Sequence, residues 1–376
     1  MRLGVSGAVV DGAWCPGDVD VADGRVAAVG LPAARGGRIA VPGLVDLLCH
    51  GYAGVDLAGA SVEDVATVRA AAARDGTTAL CPALLTDAPE RTVAALGRLD
   101  AARAIDTLDA RPLGARLLGA HLEGPFLAAA RIGTHPPEHR RDPDPDLLTR
   151  LLDAGRVDVV TLAPELPGAG TLVDRLRARG VLVAAGHSDA DAPAAHAAVD
   201  RGVRAVTHLY NAMSGLSHRA PGLAAVALTR PEVTATLIAD GHHVAPEMLR
   251  LAAAAAPGRW ALVTDATAAT GMPEGPFRLS GVPVTLADGA VRNAAGGLAG
   301  AAAPLIRGVR TAVAAGVDLV AAVGAATTVP ARLLGRGDVG RLTPGASADL
   351  VLLEDTLSVT RVLVEGREMD QGATTE

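Results

Sequence analysis

The 376-residue sequence contains no lysine, so all 34 of its basic residues are arginine. That absence removes Schiff-base catalysis and metal bridging by a carbamylated lysine from the chemistries open to the chain. Aromatic side chains make up only 2% of the sequence. Alanine, valine and leucine must therefore fill the core, and the stacking platforms that bind single-stranded nucleic acid are missing. The three cysteines, Cys15, Cys49 and Cys81, form no C-x-x-C pair, which argues against a disulfide framework or a zinc knuckle and for a reducing compartment. Net charge is −7 with no basic run, so a nucleic-acid partner is not expected. No apolar stretch is long enough to span a bilayer, and Met1-Arg2-Leu3-Gly4 does not open like a signal peptide. A soluble, cytoplasmic protein without a membrane partner is expected.

What is present is the balance of a large globular core: 49% hydrophobic and 20% charged residues, over a length that suits one large barrel or a barrel plus a smaller domain. The first forty residues alternate apolar and polar positions around Asp11-Gly12 and Asp23-Gly24, a hairpin signature. Ala348 to Leu353, Val359 to Val364 and Glu365-Gly366 repeat that texture at the other end. One small β-sandwich built from residues 1–41 and 346–376 is expected, flanking a catalytic domain over 42–345.

Within 42–345, short apolar runs recur at Leu44–Leu48, Thr78–Leu84, Arg116–Leu122, Val157–Leu162, Val181–Ala185, Val203–Thr207, Val233–Ala239 and Trp260–Thr264. Alanine-rich helical stretches such as Ser61–Ala73, Glu90–Ala104 and Ala190–Arg201 separate them. This alternation predicts a parallel sheet, either a TIM-type (β/α)8 barrel or an open doubly wound sheet. The polar residues favour the barrel. Six runs are followed by a reactive side chain: His50, Glu123, His187, His208, Asp240 with His242-His243, and Asp265. In a barrel these strand ends converge on one mouth. Thr86 and Glu165 break the series after the second and fourth strands.

Singly, each of these residues has a structural explanation; Glu123 before Gly124-Pro125 could cap a turn, and Asp265 could cap a helix. Their occurrence together in strand order is harder to explain that way. Glutamate and histidine suit a zinc-like divalent ion with a position left for water, whose pKa such an ion lowers toward about 7. A nearby carboxylate can take the water proton and return it to a departing amine.

The order and spacing of several segments resemble the N-acetylglucosamine-6-phosphate deacetylase family of the amidohydrolase superfamily. They are Val41-Pro42-Gly43-Leu44-Val45-Asp46, Asp75-Gly76-Thr77-Thr78, Gly119-Ala120-His121-Leu122-Glu123-Gly124-Pro125-Phe126 and Thr161-Leu162-Ala163-Pro164-Glu165. Gly186-His187-Ser188, Thr207-His208-Leu209-Tyr210-Asn211-Ala212-Met213, Arg219-Ala220-Pro221-Gly222, Ala239-Asp240-Gly241-His242-His243-Val244 and Val263-Thr264-Asp265-Ala266-Thr267 follow. The resemblance implies Glu123, His187 and His208 as ligands of one divalent ion, expected to be zinc, and Asp265 as the catalytic acid/base. It implies that His135 contacts substrate near its reacting end. Asn211, the Ala212 backbone, Arg219 and His243 would hold the sugar phosphate, with Arg219 reaching into the partner's site of a homodimer. An arginine fork suits phosphate geometry.

Two departures stand out. Where many superfamily members carry H-x-H after the first strand, this chain has Leu48-Cys49-His50. Strand periodicity puts positions 48 and 50 on one face and Cys49 on the other, and Leu48 cannot ligate, so a complete second metal site is not expected. His50 is left as a remaining ligand, a substrate contact or a pocket histidine. Tyr52 follows in a loop that is bulkier than the family's, where it would narrow the pocket or extend substrate contacts. The activity implied is hydrolysis of N-acetylglucosamine 6-phosphate. Alternatives are the same chemistry on another N-acyl amino sugar, such as N-acetylgalactosamine 6-phosphate, and a sugar-phosphate-binding homologue without catalysis.

Overall fold

The computed structural model describes residues 1–34, 36–105 and 114–370. Eight parallel strands follow one another around a barrel: β1 (Leu44–Cys49), β2 (Thr77–Leu85), β3 (Ala120–Glu123), β4 (Val157–Leu162), β5 (Leu182–Ala185), β6 (Ala205–Val206), β7 (Thr234–Ile238) and β8 (Trp260–Val263). Each pairs with the next in sequence order. The third apolar run is split. Arg116–Leu117 pairs low on β2, and β3 proper starts at Ala120. Gly119 sits in the break, where a Cβ would come within 2.4 Å of the Asp158 carboxylate.

The seam between β8 and β1 closes differently from the others. Parallel contact is confined to a bridge between Cys49 and Ala266, with Asp265 N–H donating to the Leu48 carbonyl at 2.9 Å. The Asp46 carboxylate supplies what the ladder lacks. Its Oδ1 accepts from Leu48 N–H at 3.2 Å and Thr264 N–H at 3.1 Å, and its Oδ2 accepts from the Thr264 hydroxyl. One buried acid thus joins the first and last strands directly beneath the barrel mouth.

The barrel interior is filled by small and medium side chains, among them Val45, Leu48, Ala79, Cys81, Leu118, Val159, Ala184, Ala205, Ile238 and Val263. This packing is what a chain poor in aromatics can achieve. A second cluster, which includes Cys49, fills the space between strands and helices. Leu48 inside and Cys49 outside match the period of the strand. Helices alternate with the strands from Val62–Arg74 to Leu305–Ala314. The first begins on a capping box in which Ser61 and Asp64 exchange side chain-to-backbone hydrogen bonds.

Strands from both chain ends form a separate six-stranded sheet, with Ile39–Pro42 antiparallel to Leu350–Leu353 at its centre. The hairpin of Asp18–Ala22 and Arg25–Leu31 packs on it through a core containing Leu3, Val5, Val19, Val26, Leu350 and Leu363. Asp11-Gly12 and Asp23-Gly24 take the left-handed conformations that tight hairpin corners require. A further antiparallel sheet, Gly275–Leu279, Val282–Ala287 and Ala290–Asn293, is inserted after β8. The alternation of strands and helices did not announce it.

Burial lifts the Asp46 pKa from 3.8 to about 6, against the opposing pull of its Thr264 and Leu48 hydrogen bonds. A folded-state value above the unfolded one means that folding favours the protonated acid. The stabilisation is therefore full below about pH 4 and is lost as pH rises through 6. Asp46→Asn cannot ionise, so its stability relative to wild type is expected to improve by about 1.4 kcal/mol per pH unit across that window. Denaturant titrations of both proteins at pH 4 and 6 would measure it, and a difference that does not change with pH would refute it.

Candidate metal centre and substrate cavity

The C-terminal ends of the barrel strands open into a cavity of about 310 Å3. Glu123 ends β3, while His187, His208 and Asp265 each lie two residues beyond the ends of β5, β6 and β8. All four line this cavity, together with His50, His135, Asn211, Ala212 and His243. The three residues after the strands adopt positive φ, +48° at His187, +33° at His208 and +53° at Asp265. A non-glycine residue reaches this region only at some cost, of the kind that clusters at functional sites.

At the floor, Glu123 Oε1 lies 3.2 Å from His187 Nε2 and 2.9 Å from His208 Nε2, and the two imidazole nitrogens are 3.1 Å apart. His187 Nδ1 is 2.8 Å from the Arg131 carbonyl, which can only accept, so that nitrogen carries the proton and Nε2 presents a lone pair to the centre. Three electron-rich atoms thus crowd one point, an arrangement that is repulsive unless a cation or a proton stands among them. Donors about 2.0–2.1 Å from a tetrahedral zinc are separated from each other by about 3.3 Å, close to the observed edges. The residues present fit a divalent ion.

A second group shares the other oxygen. His50 Nε2 is 3.2 Å from Glu123 Oε2 and 3.1 Å from Asp265 Oδ1, with all three side chains buried. Burial alone would keep His50 neutral, but hydrogen bonding and charge from Asp265 and Glu123 outweigh it and raise its pKa to about 10. Burial likewise works to raise the Glu123 pKa, and the histidines around it reverse this and hold it well below the ordinary carboxylate range.

Neighbouring residues hold these groups in place. Glu165, after β4, accepts from the Ser188 hydroxyl at 2.7 Å and the Asp189 N–H at 2.6 Å, fixing the turn that follows His187. Asp240 accepts from the backbone N–H groups of His242 and His243 and, through Oδ2, meets His243 Nδ1 at 2.8 Å. His243 therefore turns its ring edge to the cavity, whereas His242 is exposed. Deeper in the barrel, His121 spans the Leu47 carbonyl and Thr161 Oγ1, at 2.7 Å each, and burial lowers its pKa to about 4.

Arg219, expected to serve the site of a partner subunit, does not line this chain's own cavity. It lies on an exposed segment, 215–220. The expectation that Tyr52 narrows the pocket or extends substrate contacts is corrected. Tyr52 is buried in the cluster between barrel and helices, its hydroxyl bonded to Asp75, and it does not line the cavity. Leu279, Leu298, Ala299 and Gly300, from and beside the inserted sheet, form part of the wall and were not foreseen. Ser280-Gly281 and Asp288-Gly289 carried the signal: they are the same hairpin corners read at the N-terminus, each with positive φ.

Barrel and donor set together define the class, a metal-dependent hydrolase of (β/α)8 architecture. Residues 39–369 match the amidohydrolase family. The chain is 36% identical over 356 residues to the N-acetylgalactosamine-6-phosphate deacetylase of Escherichia coli O157:H7, covering 92% of this chain and 93% of that protein. It is 39% identical over 349 residues to the human N-acetylglucosamine-6-phosphate deacetylase, covering 88% and 83%. It also superposes on a Mycobacterium smegmatis N-acetyl-D-glucosamine-6-phosphate deacetylase, an aspartate-to-alanine mutant in complex with N-acetyl-D-glucosamine-6-phosphate. That comparison gives a TM-score of 0.92 at 36% identity over 98% of this chain and 99% of the other. The chain belongs to the amidohydrolase family and, within it, to the N-acetylglucosamine-6-phosphate deacetylase family.

An ion bound only by the folded state stabilises it by mass action. Stripping divalent cations with a chelator is expected to lower the melting temperature by on the order of 5 °C, with recovery when the cation is restored. A thermal scan that ignores both treatments would count against a cation among Glu123, His187 and His208.

Proposed function

We propose that this chain hydrolyses the acetamide of N-acetylglucosamine 6-phosphate to give glucosamine 6-phosphate and acetate. The observation that carries the reading is the convergence of Glu123, His187 and His208 on one point, with the Asp265 carboxylate in the same cavity. The relatives named above act on phosphorylated N-acetyl amino sugars, which supplies the substrate class. In this reading Glu123, His187 and His208 hold one divalent ion, zinc by its preference for such ligands. When bound, the ion contributes Lewis acidity, polarising the amide carbonyl and easing the ionisation of water at neutral pH.

The chain's own residues do the rest. Asp265 takes the proton of the attacking water and delivers it to the amine as the C–N bond breaks. His135 donates toward the carbonyl oxygen, where charge develops. Asn211, the Ala212 backbone and His243 hold the sugar phosphate. Arg219, exposed and outside its own cavity, would complete the site of a second copy in a homodimer. A terminal sheet unit of 1–41 with 346–376, a catalytic barrel over 42–345 and a cytoplasmic location belong to the same proposal; residues 35, 106–113 and 371–376 of these spans lie outside the described residues. All three cysteines are unpaired, and among the described residues no helix is long and apolar enough to cross a membrane.

Asp265→Asn is expected to lower kcat for acetate release by about 10²–10⁴-fold, the range of general acid–base catalysis, with metal content retained. Full turnover in that variant would end the assignment. Because one relative is a galactosamine-type deacetylase, kcat/KM should be compared across the 6-phosphates of N-acetylglucosamine and N-acetylgalactosamine and the unphosphorylated sugars. A preference for the galacto epimer would move the substrate to the second reading. Tight binding without acetate release by any metal-replete sample would indicate a binding protein.

A further inference from the structure

The second strand ends at Leu85 and is followed by Thr86, where its neighbours deliver ligands or acids, and the mechanism above leaves Thr86 without a task. Its surroundings assign one. Thr86 is buried, and both its polar donors face the same atom, with the backbone N–H 3.3 Å and Oγ1 2.9 Å from His135 Nδ1. Oγ1 also lies 3.4 Å from the Glu123 carbonyl. A backbone N–H can only donate, so Nδ1 must be an acceptor and carries no hydrogen. The single ring proton of His135 therefore sits on Nε2, the nitrogen on the Glu123 side of the ring, 3.7 Å from Glu123 Oε2. A doubly protonated ring would set two N–H groups against each other at Thr86, and the other tautomer would do the same.

The backbone around this contact is shaped for it. Gly124, directly after Glu123, has φ of +92°, and a Cβ there would stand 2.2 Å from Thr86 Oγ1. The His135 loop is held from the opposite side as well. Asn293, at the end of the inserted sheet, donates through Nδ2 to Thr134 Oγ1 at 3.0 Å. The His135 ring is pressed edge-on to His187, with centroids 4.4 Å apart. His135 thus has little freedom to rotate, and its proton position is set by what lies behind it.

We propose that Thr86 is a positioning residue, whose N–H and hydroxyl together fix His135 as the Nε2–H tautomer and so as a neutral hydrogen-bond donor into the cavity. The role of that donor rests on the amide hydrolysis proposed above, but the tautomer does not. A donor already aimed where negative charge appears needs no reorganisation during reaction, and the benefit falls on the transition state rather than on binding. Losing the hydroxyl should then reduce kcat by about tenfold, the scale of one hydrogen bond, with KM unchanged.

Two measurements on the full-length, metal-replete protein test this. In the wild type, ¹⁵N NMR of histidine-labelled protein, with His135 assigned by its loss in His135→Gln, should show Nδ1 unprotonated and Nε2 protonated. Thr86→Val keeps the backbone N–H and the side-chain volume. It should lower kcat for acetate release about tenfold at unchanged KM, and Thr86→Ser should restore it to within about twofold. A proton on Nδ1 would overturn the proposal, as would wild-type kcat in Thr86→Val or a loss that serine does not restore. If the wild type releases no acetate from any N-acetyl amino-sugar phosphate, the proposed activity fails, and the NMR result still decides the tautomer.

Discussion

A carboxylate buried as deeply as that of Glu123 is tolerable only while positive charge stands against it, because removing an unpaired ion from water costs several kcal/mol. Here His50, held protonated beside Asp265, lies 3.2 Å from one oxygen, and the Nε2 atoms of His187 and His208 lie within 3.2 Å of the other, where a divalent ion would supply the remaining charge. Much of the mouth of the barrel follows from keeping them there. The second residues beyond β5, β6 and β8 turn through left-handed conformations to bring their side chains inward. Glu165 ties down the turn behind His187, and the Arg131 carbonyl sets which nitrogen of that ring faces the centre.

The same demand reaches into the barrel wall. β1 and β8 must end level for His50 and Asp265 to meet, yet their direct pairing is confined to a bridge at the mouth. The Asp46 carboxylate holds them in register by accepting from Leu48 and Thr264. A hydrophobic residue there would leave two backbone N–H groups unpaired in the interior, a loss that packing does not repay. A titratable group at the seam makes barrel stability depend on pH close to the chemistry.

Not all of the cavity belongs to the barrel. Its outer wall comes from the sheet inserted after β8 and the segment Leu298–Gly300, which Asn293 links to the loop carrying His135. The division is one of kind. The strand ends contribute the charged and metal-type groups, and the insertion contributes apolar surface. A scaffold of this sort can change what it admits without touching the groups that react.

Several features were fixed by the sequence alone. The eight apolar runs marked the strands because a strand covered on both faces must be apolar throughout. A reactive residue just beyond a run announced the barrel mouth, since parallel strands place all their C-terminal ends on one side. The lack of lysine excluded a carbamylated-lysine ligand, and strand period put Leu48 inside and Cys49 outside. Tertiary structure decided what depends on contacts between distant segments. It turned Tyr52 into the core against Asp75, bonded the His243 ring to Asp240, and gave Thr86 a partner 49 residues away in His135. The pattern of a sequence records burial and direction along an element. The proton a histidine carries is set by whichever donor or acceptor folding brings against its second nitrogen.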